Sequence, residues 1–212
     1  MLPVIETFAS IQGESTHAGR KCFFIRLAQC NLRCNYCDTV YAWEGGSMRS
    51  TAGLVAEVKA SGLNLVEVTG GEPLIHEETP ALLQALLDAG LEVLLETNGS
   101  VSIENVPQEV RKIVDCKTPG SGMSERNKFS NFALLCPHDE VKFVVSGKED
   151  FHWAVRIIEK YRLTEKTQNL IFSPVWNKIS FEELAALVVQ CKLPVRMQLQ
   201  MHKLIWGDKK GV

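Results

Sequence analysis

Cys30, Cys34 and Cys37 place three thiols in one short stretch, separated by three and then two residues. Three thiols this close leave one over if two pair, but all three can turn toward one centre. Thiolates at short spacings are the ligands of iron–sulfur clusters, and three of them on a four-iron cube leave one iron free for a non-protein ligand. Structural zinc is the competing chemistry, and it takes four closed ligands, commonly as two short-spaced pairs. The chain has a single Cys-x-x-Cys, while Cys22, Cys116, Cys136 and Cys191 stand apart. A zinc site would therefore need His17 or His202 to complete it. A redox pair of Cys34 and Cys37 would leave Cys30 without a role.

The elements that must position these thiols follow from hydrophobic patterning. Residues 22–27 form an apolar run that reads as a buried strand delivering the cysteine loop at its C-terminal end. Further strands are expected at 63–69, 91–96, 112–117, 140–146, 169–174 and 195–201. Helices fit 51–61 behind Ser50 as a cap, 77–89 with Gly90 as its stop, 148–161 and 181–190. The polar stretch 121–130 reads as a mobile loop. Alternation of this kind implies parallel strands with helices packed outside. About six such strands are too few for a closed eight-stranded barrel, so an open parallel β/α barrel is expected.

In parallel α/β folds, functional groups gather at the C-terminal strand ends. Thr69-Gly70-Gly71-Glu72-Pro73, Thr97-Asn98-Gly99, Lys117 to Ser121 and Ser173-Pro174-Val175 all follow expected strands, as the cysteine loop does. Each also has a plain reading as a turn, because Gly, Pro and Asn-Gly pairs favour turns. Gln12-Gly13-Glu14 is a polar lead-in that reads as an exposed turn or as part of a pocket. Arg26 lies inside an apolar run, where burial without an anion is costly, and a ligand carboxylate can supply one through a bidentate fork. Asp38-Thr39 offers hard oxygen donors suited to Mg²⁺, or a helix cap.

The bulk numbers narrow the class. A chain of 212 residues with 45% hydrophobic residues suits one globular domain spanning 1–212, its cysteine loop at 28–39. A net charge of −2 gives no general argument for nucleic acid or membrane partners. Seven cysteines, odd in number and clustered, do not form a secreted disulfide framework. No run approaches the roughly 20 apolar residues of a membrane span. A reducing cytoplasm is the expected compartment.

The Cys30-x-x-x-Cys34-x-x-Cys37 string resembles the cluster motif of the radical S-adenosylmethionine (SAM) enzymes. The longer stretch from Phe8 to Thr39 more narrowly resembles the 7-carboxy-7-deazaguanine synthase family. It does so through Ile11-Gln12-Gly13-Glu14, His17-Ala18-Gly19, Phe24-Ile25-Arg26-Leu27 and Cys37-Asp38-Thr39. The family usually has glycine at the position of Ser15, and Cys22 is unusual in its first strand. The resemblance implies a barrel of radical SAM type, a 4Fe–4S cluster on Cys30, Cys34 and Cys37, SAM, and Mg²⁺ on Thr39.

By the same resemblance SAM would contact Tyr36, Asp38, Gly71, Pro119, Gly120, Ser121 and Ser173. The substrate would contact Ile11, Gln12, Gly13, Arg26, Thr69 and the terminal Val212 of a Trp-Gly…Gly-Val tail. The implied reaction is a lyase step on 6-carboxy-5,6,7,8-tetrahydropterin. It starts with hydrogen abstraction from C6 and ends, after ring contraction and loss of ammonia, in 7-carboxy-7-deazaguanine, a precursor of queuosine in tRNA. A one-electron donor such as a flavodoxin and a homodimer are the implied partners, with no direct nucleic-acid contact. Two other classes stay open at this point. One is a radical SAM activase of a glycyl-radical protein, which would need a large docking surface; the other is a zinc-stabilised nucleic-acid-binding module, which would need a basic surface.

Overall fold

Strand alternation sets the architecture. In the computed structural model, which describes residues 1–207 and 209–212, β1 (Leu2–Ile11), β2 (Lys21–Leu27) and β3 (Ser47–Arg49) precede α1 (Thr51–Ala60). Then follow β4 (Leu65–Gly70), α2 (Thr79–Asp88), β5 (Glu92–Thr97), β6 (Arg111–Asp115) and β7 (Glu140–Val145). The chain continues through α3 (Lys148–Lys160), β8 (Asn169–Pro174), α4 (Phe181–Gln190), β9 (Arg196–Met197) and α5 (Met201–Trp206). Ser50 and Ser180 cap α1 and α4 by accepting from Gly53 N at 3.1 Å and Glu183 N at 3.0 Å, which satisfies N–H groups the helix leaves unpaired. Among the described residues no helix is long and apolar enough to cross a membrane.

The strands form one nine-stranded sheet ordered β3-β1-β2-β4-β5-β6-β7-β8-β9. From β2 through β4–β9 every neighbouring pair is parallel, while β1 is antiparallel to both β2 and β3. Because β3 and β9 are the two ends, the sheet stays open, as the strand count requires.

The period of two gives the sheet two unlike faces. Phe23, Ile25 and Leu27, then Val66 and Val68, Val93 and Leu95, and Val141, Phe143 and Val145 belong to the main core, together with the buried faces of α1, α2, α3 and α4. The intervening positions point the other way. Cys22, Phe24, Leu65, Leu94 and Ile113 make a second, small apolar cluster there. Toward the C-terminal strand ends the same face carries Arg26, Glu67, Thr69, Glu96, Asp115 and Lys142. Their placement is fixed by the registers Phe24↔Glu67, Arg26↔Thr69, Glu96↔Ile113 and Asp115↔Lys142.

Two expectations differ from the observed fold, and a ten-residue strand, β1, precedes the strand expected first. The expected strand at 195–201 shrinks to the two residues of β9. Its alternating glutamines turn toward the chain instead of extending the ladder: Gln198 Nε2 donates to Ser15 O at 2.6 Å and Gln200 Nε2 to Glu14 Oε1 at 2.8 Å. The segment 121–130, expected as a mobile loop, is a series of short 3₁₀ turns. Asn127 pins it, accepting from Lys117 N at 2.9 Å and donating to Lys117 O at 2.8 Å.

Candidate active site

The cysteine loop leaves β2 and is tied down at both ends. Ala28 N donates to Pro3 O, Gln29 N to Ala42 O and Asn35 N to Ser121 O, at 2.7–3.0 Å. Arg33 braces the turn by donating to Cys30 O at 2.7 Å and Leu32 O at 2.8 Å, and its guanidinium lies 4.6 Å from the Trp43 ring centroid. Tyr36 reaches Val144 O at 3.1 Å through its hydroxyl. Cys30, Cys34 and Cys37 thereby line one cavity of about 290 Å³.

The donor set fits a cluster better than a single ion. Among the described residues the one group of Cys, His, Asp or Glu with ligand atoms within 4.8 Å of one another is Cys136, His138 and Asp139. The three loop sulfurs are thus not all within 4.8 Å of one another, wider than one tetrahedral zinc with Zn–S bonds of about 2.3 Å would hold them, and their number and spacing suit a cuboidal cluster. Burial pushes the Cys30 and Cys34 thiols up from their ordinary range, and amide groups already point at one sulfur. Leu32 N lies 3.4 Å and Asn98 Nδ2 3.7 Å from Cys30 Sγ. The Cys136–Asp139 group sits at the opposite end of the sheet, just before β7. Asp139 is spent there on Lys112 Nζ at 3.2 Å, Lys112 N at 2.9 Å and Cys136 N at 2.7 Å, so that turn is structural.

The Gly-Gly-Glu-Pro turn after β4 fits against the cysteine loop backbone to backbone. A Cβ on Gly71 would stand 2.0 Å from Gln29 O and 2.9 Å from Cys30 Cβ, so no side chain is possible there. Glu72 is fully buried and joins two strand-end turns. Its carboxylate accepts from Leu74 N at 2.9 Å, Thr97 Oγ1 at 2.8 Å and Asn98 N at 2.6 Å.

The cavity brings together most of the residues expected at the site. Ile11, Gln12, Gly13, Arg26, Cys30, Cys34, Tyr36, Cys37, Asp38, Thr39, Thr69, Gly71 and Val212 all line it. Pro119, Gly120, Ser121 and Ser173 do not. Ser121 spends its hydroxyl on Thr118 O at 2.6 Å, and Gly120 N donates to Asp150 at 2.8 Å. Ser173 faces the cavity side of the sheet, opposite Val144 in the ladder, and its buried hydroxyl has no partner among the described residues. That orphaned group is the kind of donor a bound polar ligand satisfies.

Several roles look different in three dimensions. Arg26 does not depend on a ligand for its counter-ion, because Nε donates to Glu6 Oε1 at 2.8 Å. Its terminal NH₂ groups make no hydrogen bond among the described residues. Glu6 also accepts from Tyr41 OH at 2.8 Å, and Lys210 lies 4.1 Å from the Tyr41 ring centroid. The tail is thus held across the cavity mouth; Asp208 within it lies outside the described residues. Asp38 pairs with Lys203 at 3.0 Å; burial alone would raise its carboxyl, and the Lys203 charge overrides this and holds it low. Thr39 Oγ1 is 3.7 Å from Cys37 Sγ. Ser15 adopts φ 63°, in the left-handed region that favours glycine, as the resemblance anticipates for this position. A Cβ on Gly13 would lie 2.7 Å from His202 Nδ1, so this turn and α5 pack through the missing side chain.

Sequence reasoning missed the floor of the cavity. Lys142 bonds Glu14 Oε2 at 2.7 Å and pairs closely with Glu96. Glu67 accepts from Gln12 Nε2, and Thr69 Oγ1 donates to Glu96 at 3.4 Å. Burial, and then the charge of Glu96, raises Glu67 well above the usual carboxylate range. Burial acts the same way on Glu96, but Lys142 reverses the outcome and holds it low. The signal that could have found Glu67 and Lys142 is the one that singled out Arg26, a charged residue inside an apolar strand.

Comparison with known proteins agrees with this geometry. The model of the radical SAM superfamily matches residues 25–188. The chain is 40% identical over its whole length to the full 7-carboxy-7-deazaguanine synthase of Koribacter versatilis. It is 43% identical to that of Chlorobaculum tepidum, covering all of this chain and 97% of the relative. The crystal structure of QueE from Escherichia coli superposes with a TM-score of 0.74 at 22% identity, over 95% of this chain and 94% of that one, and supports the fold. The chain belongs to the radical SAM superfamily and, within it, to the 7-carboxy-7-deazaguanine synthase family.

Proposed function

We propose that this chain is a radical SAM lyase that converts 6-carboxy-5,6,7,8-tetrahydropterin to 7-carboxy-7-deazaguanine with loss of ammonia, in 7-deazapurine biosynthesis. The observation that carries the reading is that three cluster-spaced thiols and a set of buried charges open into one cavity.

In this reading the thiolates of Cys30, Cys34 and Cys37 hold a 4Fe–4S cluster. Bound beside it, SAM supplies a 5′-deoxyadenosyl radical when one electron arrives, and that chemistry belongs to the cofactor. Tyr36, Asp38 and Gly71 form the wall for SAM, while Pro119, Gly120, Ser121 and Ser173 lie outside the cavity lining, Ser173 with a hydroxyl left for a polar ligand. Gly71 serves by having no side chain, which lets its turn sit directly against the cysteine loop beside the ligand. Thr39 offers a hydroxyl to Mg²⁺, which suits an ion that keeps most of its waters.

The substrate fits the remaining wall. Arg26 keeps its terminal NH₂ groups for the substrate carboxylate while Glu6 fixes the guanidinium through Nε. Ile11, Gln12, Gly13 and Thr69 border the heterocycle, and Val212 closes over it. These groups orient the substrate and exclude water around a reactive radical. The whole chain 1–212 acts as one domain, in the cytoplasm, as a homodimer fed by a one-electron donor such as a flavodoxin. It makes no direct nucleic-acid contact.

Anaerobic reconstitution with iron and sulfide tests this. The expected result is a brown protein that yields 7-carboxy-7-deazaguanine from the carboxypterin with SAM and reductant, faster with Mg²⁺ than without. A protein that cleaves SAM but leaves the pterin intact would overturn the substrate assignment.

A further inference from the structure

The cations around the cavity are not distributed evenly. Arg26 has Glu6, Lys117 has Asp115 at 2.7 Å, and Lys203 has Asp38, each with one carboxylate. Lys142 alone serves two, Glu14 and Glu96, and Glu67 has no cation of its own among the described residues. We propose that Lys142 is a positioning residue, which ties Glu14 and Glu96 into a paired carboxylate acceptor for the N–H-rich edge of the substrate. This rests on the reading above and adds a device for substrate recognition that its assigned roles do not contain.

The geometry supports the assignment. Lys142 is 4% exposed and lies on the cavity face of β7, across the ladder from Asp115. Its two partners come from different segments, Glu14 from the turn after β1 and Glu96 from β5. One ammonium therefore fixes the spacing of two side chains that nothing else holds together. Gln200 Nε2 fixes the other oxygen of Glu14 at 2.8 Å, and Thr69 Oγ1 the other oxygen of Glu96 at 3.4 Å. Glu67 is held by Gln12 instead, whose Oε1 accepts from Glu14 N at 2.7 Å, so Glu67 is locked to Glu14 through one glutamine. A pterin carries an amino group and ring N–H groups along one edge, and such donors pair best with ionised acceptors.

The pH dependence follows from the groups facing Lys142. These are Glu14 from the turn after β1, Asp38 from the cysteine loop, Glu67 from β4, Glu96 from β5 and Asp115 from β6, with Arg26, Lys117 and His202 elsewhere on the same cavity lining. Glu140, on the same strand and face, is occupied by Thr16 N and Oγ1 at 2.5–3.1 Å. With Lys142 present, the Glu96 carboxyl is held below its ordinary range against the pull of burial. Without it, two neighbouring desolvated carboxylates remain, and burial and mutual repulsion push one of them up into the neutral range. A protonated carboxyl loses its charge and sets an O–H donor where an acceptor stood, so activity falls as pH falls.

The test compares holoenzyme carrying Lys142→Met or Lys142→Arg with wild type, over about pH 5.5–8.5. Wild type is expected to hold a level kcat/KM on the neutral side. Lys142→Met is expected to raise KM about tenfold to a hundredfold near pH 7, with kcat/KM climbing as pH rises. Lys142→Arg is expected to restore the level profile. SAM cleavage without pterin, retained in each variant, shows that cluster and fold persist. A level profile in Lys142→Met at reduced amplitude would mean a structural role only and would overturn the proposal, as would a sloping one in Lys142→Arg, which carries the test if the Met variant does not load its cluster. Wild type that leaves the carboxypterin intact would overturn the substrate assignment before any variant is compared, so that failure is distinguishable from a failure of the Lys142 assignment.

Discussion

At the rim of the cavity, Cys30, Cys34 and Cys37 come from one loop between β2 and β3, and burial keeps the Cys30 and Cys34 thiols from ionising easily. At the floor, Glu14, Glu67, Glu96 and Lys142 come from four separate segments and are paired before any ligand arrives. The rim is local in sequence and completed by a metal cluster. The floor is distant in sequence and completed by the fold. Removing a rim residue should therefore abolish the chemistry while sparing the sheet, whereas removing a residue beneath it should cost stability or substrate affinity first.

The largest effect belongs to the rim. Cys34→Ala is expected to lose at least about a thousandfold in product formation, together with the brown absorbance, while circular dichroism stays that of a folded α/β protein. Full activity in that variant would contradict the cluster assignment. Next comes the contact of the rim with the strand-end turn: Gly71→Ala puts a methyl where 2.0 Å separates it from Gln29 O. Displacing the loop by about an ångström is expected to lower kcat/KM about a hundredfold, measured with the cluster content held equal. An unaffected enzyme would show that the turn yields and does not set the rim.

Stability predictions sharpen the other side. In Glu72→Gln an amide nitrogen must face an N–H or O–H donor in a fully buried site, leaving one donor unsatisfied at a cost of about 1–3 kcal/mol. Thermal unfolding should come down by about 2–4 °C per kcal/mol for a chain of this size; no shift would mean that the two turns are held by other contacts. The smallest effect lies away from both regions, where Arg20 and His17 flank Glu92. Their hydrogen bonds, that of Arg20 above all, hold the Glu92 carboxyl at about 2. A depressed carboxyl stabilises fully above its unfolded value of about 4.3 and loses that contribution as pH falls toward the folded one. Arg20→Ala should weaken the protein by less than about 1 kcal/mol at neutral pH, since Glu92 is 39% exposed and solvent screens the pair. That difference should fade in acid denaturation below about pH 4.

What could be read from the sequence follows the same division. Loop chemistry with short spacing, and strands with strict alternation, are local signals. Cys30, Cys34 and Cys37, the strand at 169–174 and the helix at 181–190 were therefore available from pattern alone, and the last two fall where expected. Glu67 and Lys142 look like ordinary strand residues until the registers put them on one face. Arg26 was visible as a charge in an apolar run, but its partner Glu6 was not, because β1 mixes proline, acid and apolar residues without a clear period. The glutamines of 198–200 alternated as a strand would. They reach Ser15 and Glu14 instead, because tertiary hydrogen bonds outweighed the ladder.

The account stands most directly on the fate of one hydrogen. With the carboxypterin deuterated at C6, reconstituted enzyme, SAM and reductant are expected to move deuterium into the 5′ position of the adenosyl group as 7-carboxy-7-deazaguanine forms; loss of ammonia alone accounts for the product, so the abstracted hydrogen is handed back in each turnover and the label is read in the 5′-deoxyadenosine and SAM recovered. Unlabelled 5′-deoxyadenosine and SAM beside that product, or labelled pterin recovered intact while SAM is consumed, would contradict it.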